Sequence, residues 1–154
     1  AWLLGIGECH THEHVTMAPS LTRYGAVESG QAAYSMAGLG PDDMDFAELY
    51  DCFSVVPIIE AEELGLAERG AGGELFTSGA ATIEGRMPIN THGGMLSFAQ
   101  AGASGGLHAI VEACRQLRGD LGERQVKNHD VALVHNEGGI LSSHVTMVLA
   151  NQQR

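Results

Sequence analysis

The chain has 154 residues, with 19 Asp and Glu against 8 Lys and Arg, for a formal net charge of −11. That length suits one compact domain, residues 1–154, with a core of its own, and the charge argues against nucleic acid and anionic membranes as partners. No apolar run is long enough to span a membrane. The apolar start, Trp2 to Ile6, lacks the basic flank and cleavage pattern of a signal peptide. Cys9, Cys52 and Cys114 have no paired spacing, so neither a disulfide framework nor a cysteine metal site is expected. A reducing cytoplasm is the expected setting.

Residues 2–15 read as a strand, which would place His10, His12 and His14 on one face at the period-two repeat. Three imidazoles on a face suit zinc or nickel; with no fourth ligand nearby, a polar strand end is the favoured reading and no metal is expected. Residues 20–38 read as a helix with a small-residue face (Ala26, Val27, Gly30, Ala33, Tyr34, Ala37), ended by Leu39-Gly-Pro41. After a turn at 42–45, Phe46 to Tyr50 reads as a short buried strand and 54–64 as a helix with Pro57 in its first turn. Residues 65–86 form a glycine-rich, weakly periodic stretch expected to be a surface excursion. A glycine-punctuated loop from Met87 to Gly106 then feeds a helix at 104–118, whose expected buried face is Leu107, Ile110, Val111, Cys114 and Leu117. The charged segment 120–128 is a loop, 130–135 a strand, 136–139 a turn and 143–150 a returning strand. Helices alternating with strands and closed by a hairpin give a layered α/β domain.

Chemistry-bearing residues gather in glycine turns and at strand ends, where open α/β sheets hold ligands. These are Tyr50-Asp-Cys-Phe53, Asn90-Thr-His-Gly-Gly94 running on to Gly106, and His135-Asn-Glu-Gly-Gly139. Together with Ala37-Gly-Leu-Gly-Pro-Asp-Asp-Met-Asp-Phe-Ala-Glu-Leu-Tyr-Asp-Cys-Phe53, they resemble the C-terminal half of the thiolase superfamily. The branch is that of the sterol-carrier-protein and lipid-transfer-protein thiolase homologues, and the resemblance covers nearly the whole chain. It implies a βαβαβαββ half with a five-stranded, mostly parallel mixed sheet and helices on both faces. It also implies that an N-terminal half, which carries the nucleophilic cysteine in that family, lies outside this chain. The chain alone is then expected to be inactive, the substrate to be a coenzyme A thioester with no covalently bound cofactor, and the assembly to be a homodimer. Relatives of this kind include aldolases of steroid side-chain degradation that work with a small OB-fold partner protein.

Carried over residue by residue, Tyr50 stands where the family has Asn or His at an oxyanion hole, and a phenol can donate there or exchange a proton. Gln100, by ungapped counting from Asn90, stands at the histidine that activates the family's cysteine; an amide donates but takes no proton at neutral pH. Cys52 matches the cysteine given the acid/base role in the sterol-carrier branch. His135 takes the place of the second catalytic cysteine, and His92 the slot of an asparagine. Gly93, Gly94 and Ser104 are the expected thioester contacts, through N–H donors of a glycine loop and helix start. Glu48 and Asp51 read as structural anchors; His108 and His144 receive no role. The expected function is acyl transfer or C–C cleavage or formation beside an acyl-CoA thioester, in lipid or steroid degradation. A retro-aldolase without an acyl-cysteine and a non-catalytic acyl-CoA or lipid-binding subunit are the alternatives.

Overall fold

The structure, a computed structural model, describes residues 1–98 and 100–153, and only the backbone of Ala103. In chain order it contains β1 (Trp2–His10), α1 (Ala26–Ala37), β2 (Phe46–Glu48), α2 (Val56–Glu63), α3 (Gly72–Thr77), α4 (Gly94–Ser97), α5 (Gly105–Arg118), β3 (Val131–Gly138) and β4 (Ser143–Ala150). The sheet order is β1-β4-β3-β2. The β1/β4 and β3/β4 pairs are antiparallel and β2/β3 is parallel.

The mixed sheet therefore has four strands among the described residues, not the five expected, and two of its three pairings are antiparallel. The fifth position is reduced to a lone parallel bridge from Ile89 to Ala47. Ala47 donates its N–H to the Pro88 carbonyl at 2.9 Å and accepts from Asn90 N–H at 3.0 Å. Pro88 has no N–H to extend the ladder, and Asn90 turns left-handed at φ 53°. Pairing stops there.

Helices cover both faces. On one, Val131, Leu133 and Val148 pack with Ala26 and Ala33 of α1 and Ala61 of α2. On the other, Ala132, Val134 and Leu149 pack with Ala109, Ala113 and Leu117 of α5. The small-residue face of α1 works as expected, because β1 answers it with glycines. A Cβ on Gly5 would lie 2.1 Å from the Ala33 carbonyl oxygen, and one on Gly7 2.0 Å from that of Ser29. Helix α1 starts later than expected, and Gly38, at φ 67°, is its left-handed cap. Residues 65–86 carry α3 and tuck Leu66 and Leu75 into the core.

The buried face of α5 differs from the apolar stripe read in its sequence. Ala109, Glu112, Ala113, Gln116 and Leu117 face inward, while Leu107 and Val111 are 58% and 56% exposed. Two alanines let the helix approach the sheet. Gln116 earns its interior position by serving a neighbouring strap: its Oε1 accepts from Val126 N–H at 3.0 Å and its Nε2 donates to the Arg124 carbonyl at 2.9 Å. Buried backbone groups need such partners, and that need outranked hydrophobic periodicity. Strand β1 stops at His10, so the three N-terminal histidines do not share a strand face.

Candidate functional site

The chain leaving β2 is pinned by side chains at three successive residues. Leu49 N–H donates to Asn90 Oδ1 at 2.7 Å, and Tyr50 N–H donates to Glu60 Oε2 at 3.0 Å. Asp51 accepts from Met95 N–H at 2.6 Å, at the first turn of α4. The glycine loop is shaped around that carboxylate: a Cβ on Gly94, at φ 67°, would fall 1.9 Å from Asp51 Oδ2. Gly93, at φ 99°, closes the turn by donating to the Asn90 carbonyl at 2.8 Å. A glycine run was legible as a tight turn; the carboxylate it wraps was not.

Gln100 reaches back from this loop, and its Nε2 donates to Tyr50 Oη at 3.1 Å. Gly105 makes room for it, since a Cβ there would lie 2.2 Å from Gln100 Oε1. The Tyr50 oxygen thus accepts one bond, leaving its own proton free for a ligand.

Cys52 faces Glu137, its Sγ–H donating to Oε1 at 3.4 Å. Burial above all, then the charge and hydrogen bond of Glu137, push the thiol up to about 12. It is a protonated donor, not a thiolate. Glu137 Oε2 accepts from Leu141 N–H at 2.8 Å. That donor is aimed by an unusual turn, in which Ile140 and Leu141 hold φ of 61° and 60°. Left-handed backbone at such residues costs on the order of 1–3 kcal/mol each and concentrates at ligand sites. Between the two segments lies a cleft of about 320 Å³, lined by Tyr50, Cys52, Phe53, Val55, Val56, Glu137 and the 138–141 turn. Glu137 was missed in the sequence; its only signal there was an acid set inside a glycine turn.

His92 opens elsewhere. It lines a separate cleft of about 350 Å³ with Phe98, His108, Val111, Glu112, Arg115 and Arg124. Its Nδ1 donates at 2.9 Å to Glu48, which is fully buried and also takes the Thr91 N–H and hydroxyl at 3.1 and 2.7 Å. Burial opposes the imidazolium, but the bond to and charge of Glu48, with Glu112 and Asp51 behind it, hold the ring above the ordinary histidine range. Burial raises the Glu48 carboxyl in turn, against the pull of His92 and Thr91. The pair holds a proton tightly between its members. Glu48 and Asp51 anchor loops, as expected of them.

His135 is sealed in the α1 face of the sheet with no exposed surface. The Leu141 carbonyl, an acceptor only, lies 3.1 Å from His144 Nε2, which therefore carries that ring's proton. His144 Nδ1 then accepts from His135 Nε2–H at 3.2 Å. His135 Nδ1 accepts the Thr146 hydroxyl at 2.7 Å, and Thr146 accepts that of Ser29 at 2.8 Å. At the end of the row, the Ser29 hydroxyl also lies 3.3 Å from the Ala26 carbonyl, a second acceptor for its proton. Burial first, then His144, drives His135 down to about 3, so it is neutral near pH 7 and does not open on the Tyr50 cleft.

Ser104 precedes α5, is exposed, and donates to the Ala101 carbonyl at 2.9 Å. His10 binds Glu8 and Ser143, and His12 binds Thr11. Among the described residues no group of three or more His, Cys, Asp or Glu is arranged to hold a metal ion. Among them, too, no helix is long and apolar enough to cross a membrane. The expected site residues thus divide: Tyr50, Gln100 and Cys52 come together, His92 lies on a second cleft, and His135 lies in the interior.

Comparison with known proteins identifies the family of this fold. The chain is 38% identical over 120 residues to an acetyl-CoA acetyltransferase of Methanothermobacter thermautotrophicus, a match covering 77% of this chain and 31% of that protein. It is 43% identical over 111 residues to sterol carrier protein 2 of Rattus norvegicus, covering 72% of this chain and 20% of the relative. Among solved structures, the Ltp2-ChsH2(DUF35) aldolase superimposes with a TM-score of 0.84 at 30% identity, over 99% of this chain and 40% of the other. The chain spans from a fifth to two fifths of the length of these relatives. The profile described as "Thiolase C-terminal domain-like" matches residues 7–151, and the chain belongs to that family.

Proposed function

We propose that this chain is the C-terminal half of an enzyme that cleaves a C–C bond next to a coenzyme A thioester by a retro-aldol route. One observation carries the reading: Tyr50 and Gln100 are hydrogen-bonded to each other where an activating histidine was expected. The Cys52 thiol beside them is held protonated by burial and Glu137. Thiolysis needs a base that generates a thiolate, and neither Gln100 nor the buried, neutral His135 supplies one. A retro-aldol step needs only a group that exchanges a hydroxyl proton and donors for the thioester enolate. Similarity to the Ltp2-ChsH2(DUF35) aldolase supports this choice. So does 41% identity over 90 residues to the 17-hydroxy-3-oxo-4-pregnene-20-carboxyl-CoA lyase of Mycobacterium tuberculosis.

In this reading the substrate is a β-hydroxyacyl-CoA. Tyr50 takes the hydroxyl proton, and Gln100 steadies the charge on the phenol oxygen as its own proton leaves. The Cα–Cβ electrons move into the thioester enolate, a ketone or aldehyde departs, and Cα is reprotonated. Gly93 and Gly94, with Ser104 at the start of α5, form the loop side that meets the thioester; the Gly93 N–H is already committed to the Asn90 carbonyl, so these glycines supply close approach there. The N-terminal half, a second copy and an OB-fold protein are the partners of the working assembly. The test is Tyr50→Phe in the full enzyme, read by release of ketone or aldehyde and by acyl-CoA binding. Turnover should collapse with binding retained. Unchanged turnover would remove Tyr50 from the chemistry and favour a binding or scaffold role for this half.

A further inference from the structure

A phenol can take a substrate proton only as it passes on its own, so the Tyr50 route requires a final acceptor. Glu137 lies on the same cleft as Tyr50. Its two oxygens are each held by one donor from the protein, Cys52 Sγ–H on Oε1 and Leu141 N–H on Oε2. Each carboxylate oxygen has two accepting positions, so both donors leave capacity unused. No salt-bridge partner engages Glu137 among the described residues. Behind it stands buried Glu60, whose Oε1 has no hydrogen-bond partner, so the surroundings are acidic and offer no fixed cation. The rest of the cleft wall is largely apolar, with Phe53, Val55, Val56 and Ile140. A carboxylate pinned in an apolar cleft by a strained turn is a costly arrangement without a proton to receive.

We propose that Glu137 is the catalytic carboxylate of the Tyr50 cleft, with Cys52 serving as the donor that orients it. The inference rests on the retro-aldol reading and adds the residue that makes its proton inventory close. The substrate hydroxyl proton moves to the Tyr50 oxygen as the Tyr50 proton crosses the cleft to Glu137 through a bridging water, since the two side chains share the cleft without a direct hydrogen bond. The Cα–Cβ bond breaks, and its electron pair becomes the enolate. The proton held on Glu137 returns through Tyr50 to Cα, restoring both groups. One proton travels from oxygen to carbon, and no oxidant, reductant or added co-reactant is involved. The apolar walls select a β-hydroxyacyl-CoA with a bulky hydrocarbon substituent on the carbinol carbon.

The experiment compares wild type, Glu137→Gln and Glu137→Asp in the full enzyme, with thermal melts to verify folding. Two reactions are followed: cleavage of a β-hydroxyacyl-CoA, and exchange of the Cα hydrogens of the product acyl-CoA in deuterated water. Both pass through the enolate and need the proton on Glu137, so Glu137→Gln should lower both by about 10²–10⁴-fold, the usual span for a lost acid or base, with the acyl-CoA dissociation constant within about threefold of wild type. Glu137→Asp, which keeps the carboxylate, should recover part of both rates. Cleavage and exchange at wild-type rates in a folded Glu137→Gln protein would overturn the assignment of Glu137 while leaving the retro-aldol reading intact. Equal losses in both variants, accompanied by loss of acyl-CoA binding, would also overturn it, in favour of a purely structural role. A wild-type enzyme that forms no ketone or aldehyde would overturn both.

Discussion

Two polar regions lie close together in this molecule and are built to opposite ends. At the Tyr50 cleft, Tyr50, Cys52 and Glu137 are each bonded once or twice, with capacity left over, and they open on a cavity, while Gln100 holds the Tyr50 oxygen. In the layer behind it, His135, His144, Thr146 and Ser29 are buried and joined to one another in a row of hydrogen bonds. Histidine is the usual proton carrier near neutral pH, yet here the histidines are the sealed group and the phenol and carboxylate are the open one. Spare bonding capacity at a cavity, more than residue type, separates a reactive side chain from a structural one.

The sharpest way to break this contrast is Tyr50→Phe. It should lower turnover in the full enzyme by about 10²–10⁴-fold, equivalent to ~3–5 kcal/mol of transition-state stabilisation, while the melting temperature stays near that of wild type. His135→Ala should do the reverse. It removes a buried ring and strands the His144 nitrogen and the Thr146 hydroxyl, a loss of about 2–4 kcal/mol in denaturant unfolding. The remaining folded enzyme should turn over near normally. A His135→Ala protein of wild-type stability that had lost turnover would invert the comparison.

Gly94→Ala tests the seam between the regions, where the loop wraps Asp51. The added methyl collides with the carboxylate and the left-handed backbone resists it, so a loss on the order of 1–3 kcal/mol is expected, with weakened acyl-CoA binding. The mildest perturbation is a change of pH. His135 is depressed to about 3 in the folded protein against about 6.5 unfolded. Between those values the unfolded chain binds more protons, so stability falls as pH drops through the window, by at most ~1.4 kcal/mol per unit for this group. His144, lowered chiefly by burial, adds to the same slope. Urea midpoints at pH 7 and pH 5 measure it, and His135→Gln should flatten the dependence.

The sequence carried much of this and failed at identifiable places. The helix–strand alternation, the terminal hairpin and the small-residue face of α1 were legible because period and glycine placement are local signals. Gln100 announced itself because it stands where a base was expected, and the structure pairs it with Tyr50. The fifth strand was not excluded by local pattern; Pro88 and the left-handed Asn90 reduce it to a single bridge. The α5 face was misread because Glu112 and Gln116 are buried for long-range partners, Arg124 and the 124–126 backbone. His135 and Glu137 exchange significance for the same reason. One residue's side chain points into the sealed layer and the other's reaches the cleft, and only the neighbours across the fold decide what each can do.

In the proposed route, C–C cleavage in the full enzyme proceeds without a cysteine acyl-enzyme. The direct measurement is intact-mass and peptide analysis of the full enzyme, quenched in acid during turnover of a β-hydroxyacyl-CoA, alongside quantification of products. Free ketone or aldehyde and a shortened acyl-CoA, with every cysteine unmodified, is the expected result. An acyl group trapped on a cysteine would contradict it and return the enzyme to thiolysis.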